Sequence, residues 1–127
     1  MLRTLLLIGL GGGLGSILRY LINVWMQKNF TNGFLYATFT VNLIGSLLIG
    51  LLMGYILKTN GASDLKFLMI IGFCGGFTTF SSFAYENYTL LQSGNISSSI
   101  LYTIASVVLC ILAVWLGIVL AQMLYKS

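Results

Sequence analysis

Long stretches of this chain carry no charged side chain, and this feature limits the available folds more than any other. Residues 29–57, 67–85 and 87–125 contain neither acidic nor basic side chains. Only 6% of the 127 residues are charged, whereas soluble domains usually carry about a quarter. An apolar stretch of about 20 residues crosses a bilayer as a helix. The chain is therefore predicted to be an integral membrane protein and not a soluble enzyme.

Charged and polar positions divide the chain into four predicted membrane-spanning helices. Their approximate bounds are residues 3–26, 34–57, 67–91 and 98–124. The connections are too short to hold a soluble domain, so residues 1–127 are predicted to form one all-α transmembrane domain. Glycine pairs at four-residue spacing, which let helix backbones approach closely in lipid, predict a packed bundle. These pairs are Gly9/Gly13, Gly11/Gly15, Gly50/Gly54 and Gly72/Gly76.

The basic residues indicate membrane topology. The six cations are scattered singly along the chain, so no basic patch for nucleic acid is present. With four spans, both termini lie on one side of the membrane, and that side carries four of the six cations. The positive-inside rule then places the termini in the cytoplasm. The cations on that side are Arg3, Lys58, Lys66 and Lys126, and the other side has Lys28, with Arg19 inside the span that leads to it.

Polar side chains within the first two spans are candidate functional groups, because polar groups in a membrane are costly. Arg19 either extends to the interface, pairs with a carboxylate, or attracts an anion to a vestibule. Asn42 lies in the middle of the second span, and Thr38 and Ser46 share its helical face. The Asn42 amide either joins helices by hydrogen bonding or donates N–H to an anion.

The third span contains the most informative pattern. Two glycines followed by two threonines, Gly75 to Thr79, disfavour a continuous helix and predict a break near the middle of the span. Freed carbonyls at that depth either coordinate a small hard cation or mark a packing kink. Phe80 and Phe83 follow on one face, where their positively polarised ring edges suit a small anion. Thr79, Ser81 and Ser82 offer hydroxyl donors nearby.

Three further polar residues follow the break. Glu86 is expected near the membrane interface, where it is free to accept from Arg19 or to take part in a polar path. Tyr102 and Ser106 are spaced i, i+4 on the fourth span and present two hydroxyls on one face. Interhelical hydrogen bonding explains this pair as well as an ion pathway does.

The whole chain resembles the Fluc/CrcB fluoride channels. The resemblance rests on Leu18-Arg19-Tyr20 after a glycine-rich first helix, on the string Thr40 to Ser46, and above all on Gly72-Phe73-Cys74-Gly75-Gly76-Phe77-Thr78-Thr79-Phe80-Ser81-Ser82-Phe83. It implies an antiparallel, dual-topology homodimer with two pores between the subunits. Ser82 stands where a threonine is usual in the family, and the hydroxyl is retained.

The resemblance also implies roles for individual residues. A central structural Na⁺ would be held by the backbone carbonyls of Gly75 and Thr78 of both subunits, and Arg19 would lie near the vestibule. The fluoride pathway would comprise Asn42, Thr79, Phe80, Ser81, Ser82, Phe83, Glu86, Tyr102 and Ser106.

The predicted function is passive export of fluoride across the plasma membrane or the bacterial inner membrane, which lowers its cytoplasmic concentration. Two alternatives are a small proton-coupled exporter of cationic drugs and a non-conducting membrane subunit. The first needs a carboxylate deep in a span, and the first span has none. An enzyme is not predicted. The unequal distribution of cations leaves one alternative partner, an oppositely oriented homologue, beside the predicted homodimer.

Overall fold

A computed structural model describes residues 1–61 and 63–126 of the chain. Four helical segments are long and apolar enough to cross a membrane, as predicted. The first two are single helices, α1 (Leu2–Asn29) and α2 (Gly33–Thr59). The third segment, Ser63–Gln92, is divided, and the fourth is a single helix (Ile96–Leu124). The helices extend slightly beyond most of the predicted ends.

The third segment consists of two helices. The first, α3 (residues 63–77), contains a helical turn at Ser63–Leu65, a π-helical stretch at Lys66–Cys74 and a last turn at Gly75–Phe77. The second, α4, spans Phe80–Gln92, and the fourth membrane-spanning helix is therefore α5 (Ile96–Leu124). The π-helical stretch has no counterpart among the predictions, since its sequence is an ordinary apolar run.

Small residues bring the long helices into direct backbone contact. Gly11 and Gly15 of α1 lie against the backbone of α3, where an added Cβ would collide with the carbonyl oxygens of Leu68 and Phe73. Gly50 of α2 and Gly117 of α5 approach each other's helices in the same way. Because apolar side chains have no preference for each other over lipid, such close packing stabilises the bundle.

The predicted glycine contacts are only partly confirmed. The pairs Gly11/Gly15, Gly50/Gly54 and Gly72/Gly76 all lie at crowded helix crossings. Gly9 and Gly13, which have the same spacing, have no neighbouring atom within 4 Å of an added Cβ. These two glycines lie on a different face of α1 from Gly11 and Gly15, with open space where a side chain would stand.

Candidate functional site

The predicted break in the third span is present. Phe77 ends α3, and Thr78 (φ −84°, ψ 159°) and Thr79 (φ −151°, ψ 118°) have extended backbones before α4 begins at Phe80. Gly75 and Gly76 are helical, so the chain leaves the helix two residues after the glycine pair. The extended conformation falls at the two threonines because β-branched residues favour it.

Asn42 of α2 supports the break through two hydrogen bonds to one residue. Its Oδ1 accepts from the backbone N–H of Thr79 at 2.8 Å, and its Nδ2 donates to the backbone carbonyl of Thr79 at 3.1 Å. The Thr79 N–H lies outside both helices and would otherwise lack a partner inside a membrane, where water cannot supply one. The second N–H of the Asn42 amide is left to donate elsewhere. Asn42 therefore fixes the break and still offers one donor.

Replacing Asn42 with leucine is expected to lower the free energy of unfolding by about 3 kcal/mol, because each unpaired buried backbone group costs about 1–3 kcal/mol. The measurement is equilibrium unfolding of purified protein in mixed detergent micelles. Ser46→Ala, one turn along the same helix, is the matched control and is expected to change stability little. Equal stabilities of the two variants would contradict this role for Asn42.

Side chains also cap the helix ends at the break. Thr79 Oγ1 accepts from the Ser82 backbone N–H at 3.1 Å, an N-cap for α4. At the end of α3, the Gly76 carbonyl accepts from Arg19 Nε at 3.0 Å and from Ser16 Oγ at 3.5 Å. Arg19 thus reaches a helix C-terminus, where a cation is favourable. Pairing between Arg19 and Glu86 was one interpretation of the sequence, and the structure does not show this pair.

The break opens onto a groove of about 410 Å³ between α2, α3, α4 and α5. Apolar atoms form most of its walls, with a few polar groups among them. Seven of the predicted site residues line this groove together: Asn42, Gly75, Thr78, Thr79, Phe80, Phe83 and Ser106. Residues from three segments far apart in the chain therefore converge at one place.

Ser106 is the most informative of the polar groups in the groove. Its side chain is 7% exposed, and its Oγ has no hydrogen-bond partner among the residues that the structure describes. A buried hydroxyl without a partner is rare, because losing water without replacement costs about 1–3 kcal/mol. The groove therefore presents a donor that lacks an acceptor.

The two predicted aromatic residues lie side by side along the groove. The ring centroids of Phe80 and Phe83 are 5.6 Å apart and their planes are tilted by 42°. Phe83 also packs on Tyr102, with centroids 5.2 Å apart. The side chain of Phe80 is 78% exposed in the single chain. The edge of an aromatic ring is positively polarised, so these rings offer weak binding to an anion.

Glu86 is enclosed by neighbouring helices, which its sequence position did not indicate. Its side chain is only 5% exposed, buried within the bundle. Oε1 accepts from Thr38 Oγ1 at 2.5 Å, and Oε2 accepts from Tyr102 OH at 2.7 Å. These hydroxyls come from α2 and α5, so Glu86 joins three helices. Thr38 was predicted only to share the face of Asn42, and its contact with Glu86 had no sequence signal.

The remaining predicted residues lie outside the groove lining. Ser81 is exposed, and its hydroxyl lies 3.3 Å from Thr79 Oγ1. Ser82 contributes its backbone N–H to the cap of α4, and its side chain is half-buried. Glu86 of α4 and Tyr102 of α5 form a separate cluster, one that lies beyond the groove along α4. The predicted set thus divides into a groove and a neighbouring polar cluster.

Oxygen ligands for a small cation are available beside the groove. No hydrogen bond reaches the carbonyl oxygens of Gly75 or Thr78 across the break, within the described part of the chain. Gly75 is exposed, and no neighbouring atom lies within 4 Å of an added Cβ. Hard cations prefer oxygen ligands, and backbone carbonyls suit them well. The donor type therefore fits such an ion, although two oxygens from one chain are too few to enclose it.

Comparison with known proteins agrees with this architecture. The profile of the family described as "CrcB-like protein, Camphor Resistance (CrcB)" matches residues 6–118. The chain belongs to the CrcB family. The match includes the helix break, Asn42 and both phenylalanines of the groove.

Several curated relatives are similar to this chain over nearly their whole length. The fluoride-specific ion channel FluC of Flavobacterium psychrophilum is 49% identical over 122 residues, 95% of this chain and 98% of the relative. FluC of Gloeothece citriformis is 48% identical over 118 residues, 93% of this chain and 96% of the relative. FluC of Phocaeicola vulgatus is 45% identical over 121 residues, 95% of this chain and all of the relative. These relatives are named as ion channels and not as enzymes.

Proposed function

We propose that this member of the CrcB family is a fluoride-specific channel of the cell membrane that releases fluoride passively. Its relatives carry that name, and the groove offers the matching chemistry. One observation supports the proposal most strongly: the buried Ser106 hydroxyl has no partner among the described residues, and Ser106 lines the same groove as Asn42 and the two phenylalanines. Donors without acceptors, held in an apolar space, suit a small anion that has lost water.

Selectivity follows from replacement of the hydration shell of the ion. Fluoride binds water strongly, so a pathway must supply comparable donors at close range. The free N–H of Asn42 and the Ser106 hydroxyl donate directly, and the edges of Phe80 and Phe83 add weaker contacts. Chloride is larger and fits such a narrow set of donors less well.

The polar cluster beside the groove extends this pathway in the proposal. Glu86 lies next along α4 and is bonded to Tyr102 of α5, and Thr79, Ser81 and Ser82 supply hydroxyls around the start of α4. Arg19 serves a vestibule, because neither carboxylate of the chain neutralises it: Asp64 pairs with Arg3, and Glu86 accepts from hydroxyls. An unpaired cation raises the local concentration of anions.

The driving force in this proposal is the electrochemical gradient of fluoride itself. HF is a weak acid that enters a cell from acidic surroundings and dissociates at the higher internal pH. The charged anion cannot return through lipid and accumulates. A passive path for fluoride alone then lowers the cytoplasmic concentration without a second substrate.

The proposed assembly is an antiparallel homodimer with two pores. The open groove, the exposed Phe80 ring and the exposed Gly75 support this assembly, because a second copy would cover them. A central Na⁺ would be held by the carbonyls of Gly75 and Thr78 of both subunits, which together provide four oxygens. The ion would supply fixed positive charge beside the path of the anion. An oppositely oriented homologue is the alternative partner.

The experiment is fluoride efflux from liposomes that contain the purified protein, followed with a fluoride electrode. Fluoride should leave the liposomes once a potassium ionophore lets K⁺ leave with it, because K⁺ efflux prevents a membrane potential from building up. A drug exporter would instead release protons when a cationic drug is added, and a non-conducting subunit would show no flux alone. Either of these results would replace the proposed function.

A further inference from the structure

The helix that carries Phe80, Phe83 and Glu86 is held to the bundle by few apolar contacts. Glu86 is the only buried residue of α4. The other long helices have several buried small residues at their crossings, whereas α4 has none. Packing within one chain therefore gives little control over the rotation of α4 about its axis. Specific hydrogen bonds must fix the direction in which its side chains point.

Asn87, which directly follows Glu86, makes the densest set of such bonds. Its Oδ1 accepts from Ser99 Oγ at 2.8 Å and from Thr103 Oγ1 at 3.1 Å. Its Nδ2 donates to the backbone carbonyl of Phe83 at 3.0 Å. Ser99 and Thr103 lie one turn apart on α5, and Ser99 is 5% exposed. One carboxamide thus joins two turns of α5 to the peptide group of a groove residue.

We propose that Asn87 is a positioning residue that sets the rotation of α4 and so holds Phe83 and Glu86 in the ion pathway. We call Asn87, Ser99 and Thr103 the Asn87 clasp. The inference rests on the proposed channel function. Glu86 and Asn87 are adjacent and point about 100° apart around the helix. Their bonds therefore restrain α4 from two directions, with Glu86 between α2 and α5 and Asn87 against α5 alone.

The clasp acts on the pathway through geometry and not through contact with the ion. Asn87, Ser99 and Thr103 do not line the groove. The side-chain oxygen and nitrogen of Asn87 and the two hydroxyls bond to each other or to the Phe83 carbonyl. If the clasp opens, α4 loses one of its two sets of restraining bonds, and a small rotation of the helix then shifts the Phe83 ring and the Glu86 carboxyl together. Fluoride flux then falls although no pathway side chain has changed.

The test compares variants on both sides of the clasp in the liposome efflux assay. Asn87→Leu keeps the size of the side chain and removes its polar atoms, and loss of two interhelical bonds is expected to slow fluoride efflux about tenfold. The double variant Ser99→Ala/Thr103→Val should be slowed similarly. The triple variant should be no slower than Asn87→Leu, because all three residues act through one set of bonds.

Conservative variants separate positioning from general damage to the fold. Thr103→Ser keeps the hydroxyl and should retain wild-type efflux, whereas Thr103→Val keeps the shape and should not. Thr89→Val is the matched control on α4, because the Thr89 hydroxyl bonds only to Tyr85 of its own helix. Wild-type efflux from Asn87→Leu, additive losses in the triple variant, or equal efflux from the two Thr103 variants would each overturn the inference. Failure of the wild-type protein to release fluoride would instead contradict the proposed function.

Discussion

Replacing Phe80 or Phe83 with isoleucine is expected to slow fluoride efflux by up to about tenfold, since the edge contacts of an aromatic ring contribute about 0.5–1.5 kcal/mol. Isoleucine keeps an apolar side chain in the groove but has no positively polarised edge. The ring of Phe83 also packs on Tyr102, so its loss should disturb the Glu86 cluster as well. The measurement is electrode-followed efflux from liposomes with equal amounts of protein.

Phe34→Ile provides the control for the two aromatic variants. Phe34 is an exposed residue in the first turn of α2 and does not line the groove. Its replacement should leave efflux unchanged, and all three variants should elute like the wild-type protein in size-exclusion chromatography. Rapid efflux from both Phe80→Ile and Phe83→Ile would show that the ring edges do not contact the permeating ion.

Adding a methyl group at Gly11 or Gly15 is expected to destabilise the protein by about 3 kcal/mol or more, at the upper end of the cost of overpacking. Each new Cβ would collide with a backbone carbonyl oxygen of α3, and backbone atoms cannot move aside as a flexible side chain can. The change would separate α1 from α3 and displace Arg19 from the Gly76 carbonyl. The measurement is equilibrium unfolding of purified Gly11→Ala and Gly15→Ala in mixed micelles.

The same helix contains the matched controls. Gly9→Ala and Gly13→Ala make the same chemical change where an added Cβ meets no described atom within 4 Å. Because alanine favours a helix more than glycine does, these variants should be neutral or slightly more stable within a single chain. Equal destabilisation by all four substitutions would contradict the helix crossing seen in the structure. It would instead indicate that α1 tolerates alanine at none of these glycine positions.

The sequence predicts those features that depend on local composition. Uncharged apolar runs predicted the four spans, and the order glycine, glycine, threonine, threonine predicted a break in the third. The break falls at the threonines because Asn42 accepts and donates there, a contact between residues 37 positions apart. Spacing within one helix does not reveal such a partner.

Other features could not be predicted because they depend on which helix faces which. Glu86 was expected near the membrane interface, yet Thr38 and Tyr102 from two other helices enclose it. The pairs Gly9/Gly13 and Gly11/Gly15 have identical spacing, and only the crossing with α3 distinguishes them. Asn87 gave no functional signal at all, since its partners lie on α5.

The most direct test of the proposed function is a comparison of fluoride and chloride efflux from liposomes that contain the wild-type protein. The two salts are loaded in parallel, release is started with the same potassium ionophore, and protein-free liposomes give the background. We expect rapid release of fluoride and chloride release close to background. Equal release of the two halides, or fluoride release no faster than from protein-free liposomes, would contradict a fluoride-selective path through the groove.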